Sequence, residues 1–459
     1  MKKHRIVTMN YRLSSDEAKD LLYDYNSVKG VIPASKPDKV EMWDETLRDG
    51  EQSPSVYLTQ EEKIEIAHAL DGIGVSVIAV GFPAVSDTEF KTVKTIAAQR
   101  FEHSSIVAIA RPRESDINAC LKADLDEIVL FMPVSDLMMS ILKIKPEEEC
   151  QMIGNMITYA RDHGLKVNWV SEDSSRAKPD HLLSVYNTAV ENGVARIVLS
   201  DTVGVLSPNS MAYLTDLVQN LVLKDHEEVA LGIHTHNDFG LAVANTVQAV
   251  LHGATYPHTC VNGYGERAGN AAFEEVVMIL ERNGIATGIK LEKLYELSKM
   301  VEDHFCLPLS PHKPVVGDFS FSHESGLHVN AILSHPLSYE PINPKIVGRK
   351  RKFYLGKLSG SGAITNALVE KLKIIDMDFP SEVVREIVDR VKAKQEKAPK
   401  DKIKDIFLDI KKSLAKITSG VTDKEFYNIV QEVSGDNFED YVSNSIDINN
   451  DKNHHENHD

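Results

Sequence analysis

Short runs rich in β-branched residues alternate along residues 39–265 with longer stretches in which apolar residues recur every three or four positions. Runs of the first kind predict strands, and stretches of the second kind predict amphipathic helices. Several helical stretches end in glycine, the residue most often found just past a helix C-terminus. The strand-like runs number eight, at 39–46, 75–83, 104–112, 125–133, 165–173, 195–204, 229–238 and 256–265.

Eight evenly repeated strand–helix units match the size and order of a closed (β/α)8 TIM barrel. An open doubly wound sheet is the alternative, but the even repetition favours closure. We therefore predict an α/β protein with the barrel at 39–290, after an N-terminal extension at 1–38. Beyond it we expect a linker and first subdomain at 291–380, a helical second subdomain at 381–440 and a disordered polar tail at 441–459.

Polar residues follow the predicted strands, where the active sites of such barrels lie. Because eight loops converge on one mouth, residues that are distant in sequence can surround one ligand. The polar residues in these positions are Arg48, Asp49, Gln52, Arg111, Arg113, Ser171, Glu172, Asp201, Thr202, His234, His236, Asn262, Glu266 and Asn270.

The segment LGIHTHNDFG at 231–240 places two histidines one residue apart. Side chains alternate along a strand, so His234 and His236 should point to the same face. With the carboxylate of Asp49 they would suit Mn2+, Mg2+, Zn2+ or Fe2+, with positions left open for substrate. The amide oxygen of Asn270 could complete the shell. Ordinary core or surface histidines are the alternative, which a position at the end of strand seven disfavours.

A metal with open positions could polarise the oxygen of a bound ketone. Arg48 could hold a carboxylate or stabilise developing enolate charge, or it could simply pair with a carboxylate at a strand end. Glu172 and His328 are candidate proton-transfer groups. Alternatively, Glu172 could form an ion pair with Arg176.

Composition excludes several classes of partner. The 459 residues carry a formal net charge of −17, which disfavours nucleic acid and anionic membranes. The basic stretch GRKRK at 348–352 is expected on a solvated surface, where it could steer an anionic cofactor such as coenzyme A. The four cysteines form no C-x-x-C pair and fit a reducing compartment. Without a signal-peptide or membrane-span pattern, a cytoplasmic location is expected.

Three segments resemble the signatures of the 2-isopropylmalate synthase/homocitrate synthase family. They are DETLRDGEQSPSV at 44–56, HTHNDFGLAVANTVQAVLHGA at 234–254 and VNGYGERAGNAAFEEVVM at 261–278. They lie in the order that the family shows, and the similarity extends over residues 40–380. The resemblance implies a metal-dependent Claisen condensation of acetyl-CoA with a 2-oxo acid.

Matching motif positions imply a role for each predicted site residue. Asp49, His234, His236 and Asn270 would surround the metal. Arg48 would stabilise charge near the substrate, and Thr202 would touch the substrate carboxylate. We expect the remaining substrate contacts from Gln52 and Arg113. The predicted acetyl-CoA contacts are Asn262, Gly263, Gly265 and Glu266.

The resemblance also implies a homodimer. Members of the family are typically homodimers with exchanged linker segments, and HESGLHVNAIL at 323–333 resembles such a linker. Glu172 would pair with His328, which could come from the neighbouring subunit.

The acceptor is harder to assign. Homocitrate synthases usually carry an arginine on strand five for the distal carboxylate of 2-oxoglutarate, where this chain has Asn168. At the position of their strand-three histidine it has Arg113, which would suit oxaloacetate and a Re-type citrate synthase. Strand four offers Val129, Leu130 and Met132 as apolar lining, which favours a branched acceptor. We therefore predict 2-isopropylmalate synthesis from 2-oxoisovalerate, with oxaloacetate and 2-oxoglutarate as alternatives.

Other classes of function remain as alternatives. Lyases and aldolases share the barrel and the metal triad, although the HESGLH linker favours a synthase. A non-catalytic relative that binds a 2-oxo acid or a metal is disfavoured by the intact set of Arg48, Asp49 and Glu172. The short chain beyond 380 leaves no room for a regulatory domain of ordinary size, so we expect no feedback inhibition by leucine.

Overall fold

The computed structural model describes residues 3–5, 15–372, 378–417 and 420–434. The chain forms two compact units, Met1–Ala398 and Pro399–Asp459. The sequence-based boundary between the two small subdomains lies at 380, earlier than this division. The predicted tail at 441–459 lies outside the described residues.

The first unit contains a closed barrel of eight parallel strands. Each strand pairs with the next, and strand one closes on strand eight through Trp43–His258 and Asp44–Thr259. The predicted barrel fold is confirmed, with strands shorter than the sequence runs. The strands are Trp43–Asp44, Val77–Ala79, Ser105–Ala110, Glu127–Pro133, Lys166–Glu172, Arg196–Asp201, Ala230–Thr235 and Tyr256–Thr259.

Helices connect the strands and surround the barrel. The first shows why they begin and end where they do: Thr59 forms a capping box with Glu62, and Gly74 ends the helix at a φ of 106°. The barrel helices are Gln60–Ile73, Asp87–Ala97, Glu114–Lys122, Asp136–Leu142, Pro146–Asp162, Pro179–Glu191, Pro208–Val218, Ala242–Leu251 and Phe273–Arg282. A π-helix at Gln219–Leu223 extends the seventh of these helices.

The barrel strands separate two hydrophobic cores because their side chains alternate between the two faces. The outer core, which includes Leu130 and Met132, packs between the strands and the helices. The inner core fills the barrel with Trp43, Val77, Ala79, Val107, Ile109 and Val129.

A buried polar network lies at the N-terminal ends of the strands. Asn168 donates to Glu127 Oε1 at 2.8 Å and accepts from Arg196 at 2.9 Å. The Arg196 guanidinium also stacks over Tyr256, 4.2 Å from the ring centroid. This network closes the barrel at the end opposite the mouth.

Four helices follow the barrel within the first unit, at Leu294–Phe305, Gly326–Ser334, Ser361–Leu372 and Ser381–Glu396. The last two share a small core of Ile364, Leu368, Val384 and Val388. Strand Ser322–His323 pairs with Lys352–Phe353, and Lys3–Arg5 pairs with Asp378–Pro380.

The basic stretch at 348–352 differs from its prediction. Arg349 is buried, stacks over Tyr295 and donates to the carbonyl of Gly317. Arg351 forms a bidentate ion pair with Glu340. Two of the four basic side chains are therefore structural, and the stretch is not simply a solvated patch.

The second unit contains helices Lys400–Ile417 and Asp423–Ser434. Helix Ser381–Glu396, which falls within the predicted second subdomain at 381–440, lies instead in the unit that contains the barrel. Within the described part of the chain, no helix combines the length and the apolar character needed to cross a membrane.

Candidate metal centre and barrel mouth

Asp49, His234 and His236 converge at the mouth of the barrel, as the sequence predicts. Oδ2 of Asp49 lies 3.2 Å from Nε2 of His234 and 3.7 Å from Nε2 of His236. The two Nε2 atoms are 3.2 Å apart. Asp49 comes from the loop after strand one and the histidines from the end of strand seven, so barrel closure creates the cluster.

The surroundings of the cluster fit a bound cation. Nδ2 of Asn270 lies 3.3 Å from Nε2 of His234, while its Oδ1 atom is buried without a hydrogen-bond partner among the described residues. Rotation of an amide by 180° exchanges these two atoms and would turn the oxygen towards the histidines. One carboxylate, two imidazoles and an amide oxygen form a donor set that suits a divalent ion.

The charges at the cluster favour ligand forms of these groups. Burial tends to raise the pKa of Asp49, but Arg48 and the two histidines outweigh it and hold the pKa well below its usual value. Burial and the neighbouring His234 lower the pKa of His236 to about 4. At neutral pH, therefore, the aspartate is ionised and His236 is uncharged, the forms in which both bind metal.

Arg48 connects this cluster to a second carboxylate. Its Nη1 donates to Asp49 at 2.9 Å and its Nε donates to Glu45 at 2.6 Å. The pairing with a strand-end carboxylate, weighed as an alternative from the sequence, is thus present. Arg48 also lines an open cleft, so pairing does not remove it from the mouth.

Glu172 ends strand five beside the cluster. Burial and the adjacent Asp173 raise its pKa, and Arg48 and His234 partly oppose this effect. Arg176 forms its bidentate ion pair with Asp173, at 2.7 and 2.9 Å, and not with Glu172. The structural role suggested for Glu172 as a partner of Arg176 is therefore not what the chain adopts.

Thr202 lies on the same side of the mouth. Its hydroxyl oxygen accepts the backbone N–H of Asp173 at 2.8 Å. The hydroxyl proton can therefore be donated to a ligand, as recognition of a carboxylate requires.

A cleft of about 780 Å³ opens beside Arg48. It runs between the loops that follow strands one and two and reaches the exposed side chains of Tyr57 and Val85. Gln52, a predicted substrate residue, lies in its wall with Leu47, Phe82 and Ile109.

Apolar side chains line the inner part of the mouth, but they are not the predicted ones. Leu130 and Met132 face the outer helices, and Val129 is sealed in the inner core. Phe131 and Val170 instead pack on top of the inner core, together with Phe82. Of the three predicted residues, Val129 thus faces inward but lies below the mouth, whereas Leu130 and Met132 face outward.

Asn168 and Arg113, on which the choice of acceptor depended in the sequence, also lie away from the cluster. The fully buried amide of Asn168 is bound to Glu127 and Arg196. Arg113 binds Asp116 and borders an outer groove with Met152 and Met156. The structure therefore brings neither side chain to the cluster.

Arg111 takes the position expected of Arg113. It continues the inward alternation of Val107 and Ile109 and lies over Phe82, 5.1 Å from the ring centroid. Its guanidinium also binds Asp116, with Nε at 2.7 Å.

The loop after strand eight is held by hydrogen bonds within the protein, one of which reaches Asp49 of the cluster. The side chain of Asn262 is bound to Ser298 at both ends, at 2.6 and 2.9 Å. The N–H of Gly265 donates to Ser53, that of Gly263 to the carbonyl of Cys260, and that of Glu266 to Asp49. These four predicted acetyl-CoA residues thus have internal contacts in the structure, and their backbone shapes the metal centre.

His328 lies apart from Glu172 within one chain. It stacks on Tyr339, with ring centroids 4.0 Å apart, on helix Gly326–Ser334. Glu172 and His328 form no ion pair among the described residues of one chain. Residues that sequence reasoning missed include Glu45 and His258; their inward alternation next to Trp43 was the available signal.

Comparison with known proteins gives two domain matches. The model described as HMGL-like matches residues 39–301. The model described as homocitrate synthase post-HMGL domain-like matches residues 315–399. The first covers the barrel and the second covers the helical segment that follows it.

Several similar proteins carry different synthase names. A homocitrate synthase AksA from Methanopyrus kandleri is 43% identical over 78% of this chain and 88% of its own length. A 2-isopropylmalate synthase from Methanocaldococcus jannaschii is 41% identical over 87% of this chain and 72% of its own. A putative (R)-citramalate synthase CimA from Methanopyrus kandleri is 43% identical over 78% and 69%, respectively. Overall identity therefore does not select an acceptor.

Solved structures share the fold. The HMG-CoA lyase from Brucella melitensis has a TM-score of 0.52 at 21% identity, over 59% of this chain and all of its own. Hydroxymethylglutaryl-CoA lyase from Pseudomonas aeruginosa has a TM-score of 0.53 at 21% identity, over 59% and 94%. Taken with the two domain matches and the synthase relatives, the chain belongs to the HMGL-like group of proteins and, within it, to the 2-isopropylmalate synthase/homocitrate synthase family.

Proposed function

We propose that this protein condenses acetyl-CoA with a 2-oxo acid at the mouth of its barrel. The observation that carries the proposal is the convergence of Asp49, His234 and His236 beside Arg48. In a chain of this family, that arrangement supports metal-dependent carbon–carbon bond formation.

Each residue at the mouth has a definable part in the reaction. A divalent cation held by Asp49, His234, His236 and Asn270 would supply Lewis acidity towards the oxygens of the 2-oxo acid. The Thr202 hydroxyl would donate to the acceptor carboxylate. The Arg48 guanidinium would stabilise negative charge that develops beside it.

The condensation also needs a base. A proton leaves the acetyl methyl group, and the methyl carbon bonds to the keto carbon while the keto C=O bond becomes single and its oxygen gains a proton. Water then cleaves the thioester to release coenzyme A. Glu172 is placed to orient and charge-stabilise an imidazole that accepts this proton. His328 is our candidate for that imidazole, supplied by the partner of a homodimer, since the two are not paired within one chain.

The cleft beside Arg48 suits the coenzyme A arm. It is open to solvent and about 780 Å³ in volume, and apolar side chains such as Leu47 and Phe82 line it together with polar ones such as Gln52. We propose this placement in preference to the predicted contacts at Asn262, Gly263, Gly265 and Glu266, because their backbone N–H groups and the Asn262 side chain make internal hydrogen bonds.

The apolar layer at the mouth favours an aliphatic acceptor. Phe82, Phe131 and Val170 stand on the inner core, and Val170 is two residues before Glu172 on the same face of strand five. An acceptor side chain placed against Phe131 and Val170 would contact carbon atoms. We therefore propose 2-oxoisovalerate as the acceptor and 2-isopropylmalate as the product.

Arg111 supports a second candidate. It lies above Phe82, and it shares Asp116 with Arg113, so two guanidinium groups face one carboxylate. The excess positive charge could bind the distal carboxylate of oxaloacetate, giving citrate.

An acceptor panel separates the two candidates. Wild-type protein with Mn2+ and acetyl-CoA would be given 2-oxoisovalerate, oxaloacetate, 2-oxoglutarate and pyruvate, with release of free thiol measured. We expect kcat/KM to be highest for 2-oxoisovalerate, and removal of metal with a chelator to abolish turnover. A preference for oxaloacetate that R111A removes and R113A retains would establish the second candidate instead.

A further inference from the structure

We propose that Glu45 and His258 form a buried pair that positions Arg48 for catalysis. This inference rests on the proposed function of the mouth, because it explains how one of its groups is held. Neither residue touches the cleft, so both would act through Arg48 and would be positioning residues.

The carboxylate of Glu45 stands between two partners. Its Oε2 atom accepts from Nε of Arg48 at 2.6 Å, and its Oε1 atom lies 3.1 Å from Nδ1 of His258. Glu45 is 1% exposed and His258 is 2% exposed. Both carboxylate oxygens are thus engaged in a region from which water is excluded.

The backbone fixes this carboxylate in place. The N–H of Glu45 donates to the carbonyl of Thr259 at 2.8 Å, which continues the pairing of strands one and eight. The carbonyl of Glu45 accepts from the N–H groups of Arg48 and Gly50, at 3.1 and 3.0 Å. A carboxylate anchored in this way can orient the side chain that binds to it.

His258 is fixed just as firmly. Its ring stacks on the indole of Trp43, with centroids 4.4 Å apart and an angle of 15° between the planes. Gly232 packs close to the ring: a Cβ atom there would lie 3.4 Å from Nε2 of His258 and 2.9 Å from Cγ2 of Val198. Nδ1 lies next to Oε1 of Glu45 but, like Nε2, makes no hydrogen bond of good geometry among the described residues. A proton on Nδ1 would make the ring a donor towards that buried oxygen.

Arg48 needs such an anchor because its other partner has a second task. Oδ2 of Asp49 accepts from Nη1 of Arg48, and the same oxygen faces both histidines of the metal centre. A cation bound there would draw on that oxygen and weaken its bond to Arg48. Glu45 would still hold Arg48 by Nε, so that the far end of the guanidinium stays at the mouth.

A second metal site is the competing explanation. Ligand atoms of Glu45, His234 and His258 all lie within 4.8 Å of one another. However, His234 already belongs to the first cluster, so an ion held here would share that residue and would lie close to another positive ion. The two explanations predict different metal contents.

The test compares H258F, which keeps a flat ring against Trp43 but has no donor, with H258N, which restores an N–H donor. We expect H258F to lower kcat about 10-fold to 100-fold, as loss of an outer-shell partner typically does. The KM values for acetyl-CoA and for the 2-oxo acid should change less. H258N should recover part of this loss, and so should distinguish loss of the donor from loss of packing. In an R48K background, H258F should add little, because its effect passes through Arg48.

The matched control is H181F. His181 lies 2.7 Å from the buried Glu149 in a similar pair between two outer helices, Pro146–Asp162 and Pro179–Glu191. We expect this variant to retain the wild-type kcat. Melting curves for all variants would show whether they fold.

Crystal structures of wild type and H258F supply a readout that does not depend on activity. We expect Arg48 Nε to move away from Glu45 in H258F. An unmoved Arg48 with wild-type kcat would overturn the proposal, as would two bound Mn2+ per wild-type chain that fall to one in H258F. If the wild type condenses none of the acceptors, the proposed function fails, whereas the position of Arg48 still decides the role of the pair.

Discussion

At the scale of single residues, Glu172 shows how burial prepares a group for chemistry. Its pKa is raised by burial and by Asp173. The carboxylate therefore takes up a proton at a higher pH than an ordinary glutamate does. If the reaction requires the ionised form, activity should fall as the pH decreases through this raised pKa.

We predict that kcat/KM falls at acidic pH with an apparent pKa above the usual pKa of a glutamate. We also predict that E172Q lowers kcat by about 10²- to 10⁴-fold. The measurement is a pH profile of thiol release with each protein. E191Q, which changes an exposed glutamate on an outer helix, is the control and should match the wild type. An unchanged rate in E172Q would remove Glu172 from the mechanism.

Asp49 and Asp44 provide a matched pair for testing the metal centre. Both are buried, but Asp49 faces two histidines, whereas Asp44 accepts from the backbone and hydroxyl of Thr46. Burial raises the pKa of Asp44 to about 8, so it is mostly protonated at neutral pH. A neutral amide should therefore replace Asp44 at little cost to the metal.

We predict that D49N weakens Mn2+ binding by at least about 100-fold, since even outer-shell partners contribute 10- to 100-fold, while D44N retains the wild-type affinity. Calorimetric titration with Mn2+ measures both. Equal affinities in D49N and wild type would place the ion elsewhere.

At the scale of structural elements, one buried lysine joins the two loops that frame the cleft. Lys63 on helix Gln60–Ile73 binds Glu51 at 2.6 Å and Glu89 at 2.9 Å, and it is 1% exposed. Glu51 accepts from the N–H of Leu58, and Glu89 from that of Phe82. The loops after strands one and two are thus connected through a single positive charge.

We predict that K63M lowers the free energy of unfolding by about 3–5 kcal/mol, because it leaves two carboxylates near each other without their cation. K94M, which removes a surface pair with Asp124, should cost less than about 1 kcal/mol. Urea unfolding measures both values. We also expect the KM for acetyl-CoA to rise in K63M; an unchanged KM and stability would exclude this role.

At the scale of the whole molecule, the arrangement of subunits decides whether the mouth is complete. Exposed apolar side chains lie in the segments that follow strands one, two, four and seven; among them are Tyr57, Val85 and Phe239 on loops and Leu137 in the first turn of helix Asp136–Leu142. Leu327 beside His328 is also exposed. Contact between the mouth of one subunit and helix Gly326–Ser334 of another would cover such side chains and bring His328 to Glu172.

We predict that a heterodimer of E172Q and H328A, purified through two different affinity tags, regains about half of the wild-type activity, because one of its two mouths is intact. Each variant alone should be nearly inactive. The control heterodimer of E172Q with D49N should stay inactive, since each of its barrels carries one defect. Absence of recovery in the first heterodimer would place Glu172 and His328 in separate roles.

Local sequence patterns were enough to predict the barrel and the centre of its mouth. The alternation of strands and helices, the capping residues Thr59 and Gly74, and the same-face spacing of His234 and His236 each depend on neighbours in the chain. The choice between Arg111 and Arg113, and between Phe131 and its neighbours, depends on which alternate positions face inward. A shift of one residue in the strand exchanges its inward and outward side chains. The strand-like sequence patterns alone therefore did not show which of these residues face the mouth.

The amino-acid sequence by itself determined the (β/α)8 fold, the family and the set of side chains available for a metal, because these follow from periodicity and contiguous motifs. Three contacts were decided only by the tertiary structure. The side chain of Asn262 binds Ser298, and Asn168 belongs to a buried hydrogen-bond network. Glu45 binds Arg48 and lies next to His258. Those contacts join residues far apart in the chain, up to the 213 positions between Glu45 and His258. The contact between Glu45 and His258 exists because the barrel closes strand one onto strand eight, which brings residues from the two ends of the barrel side by side.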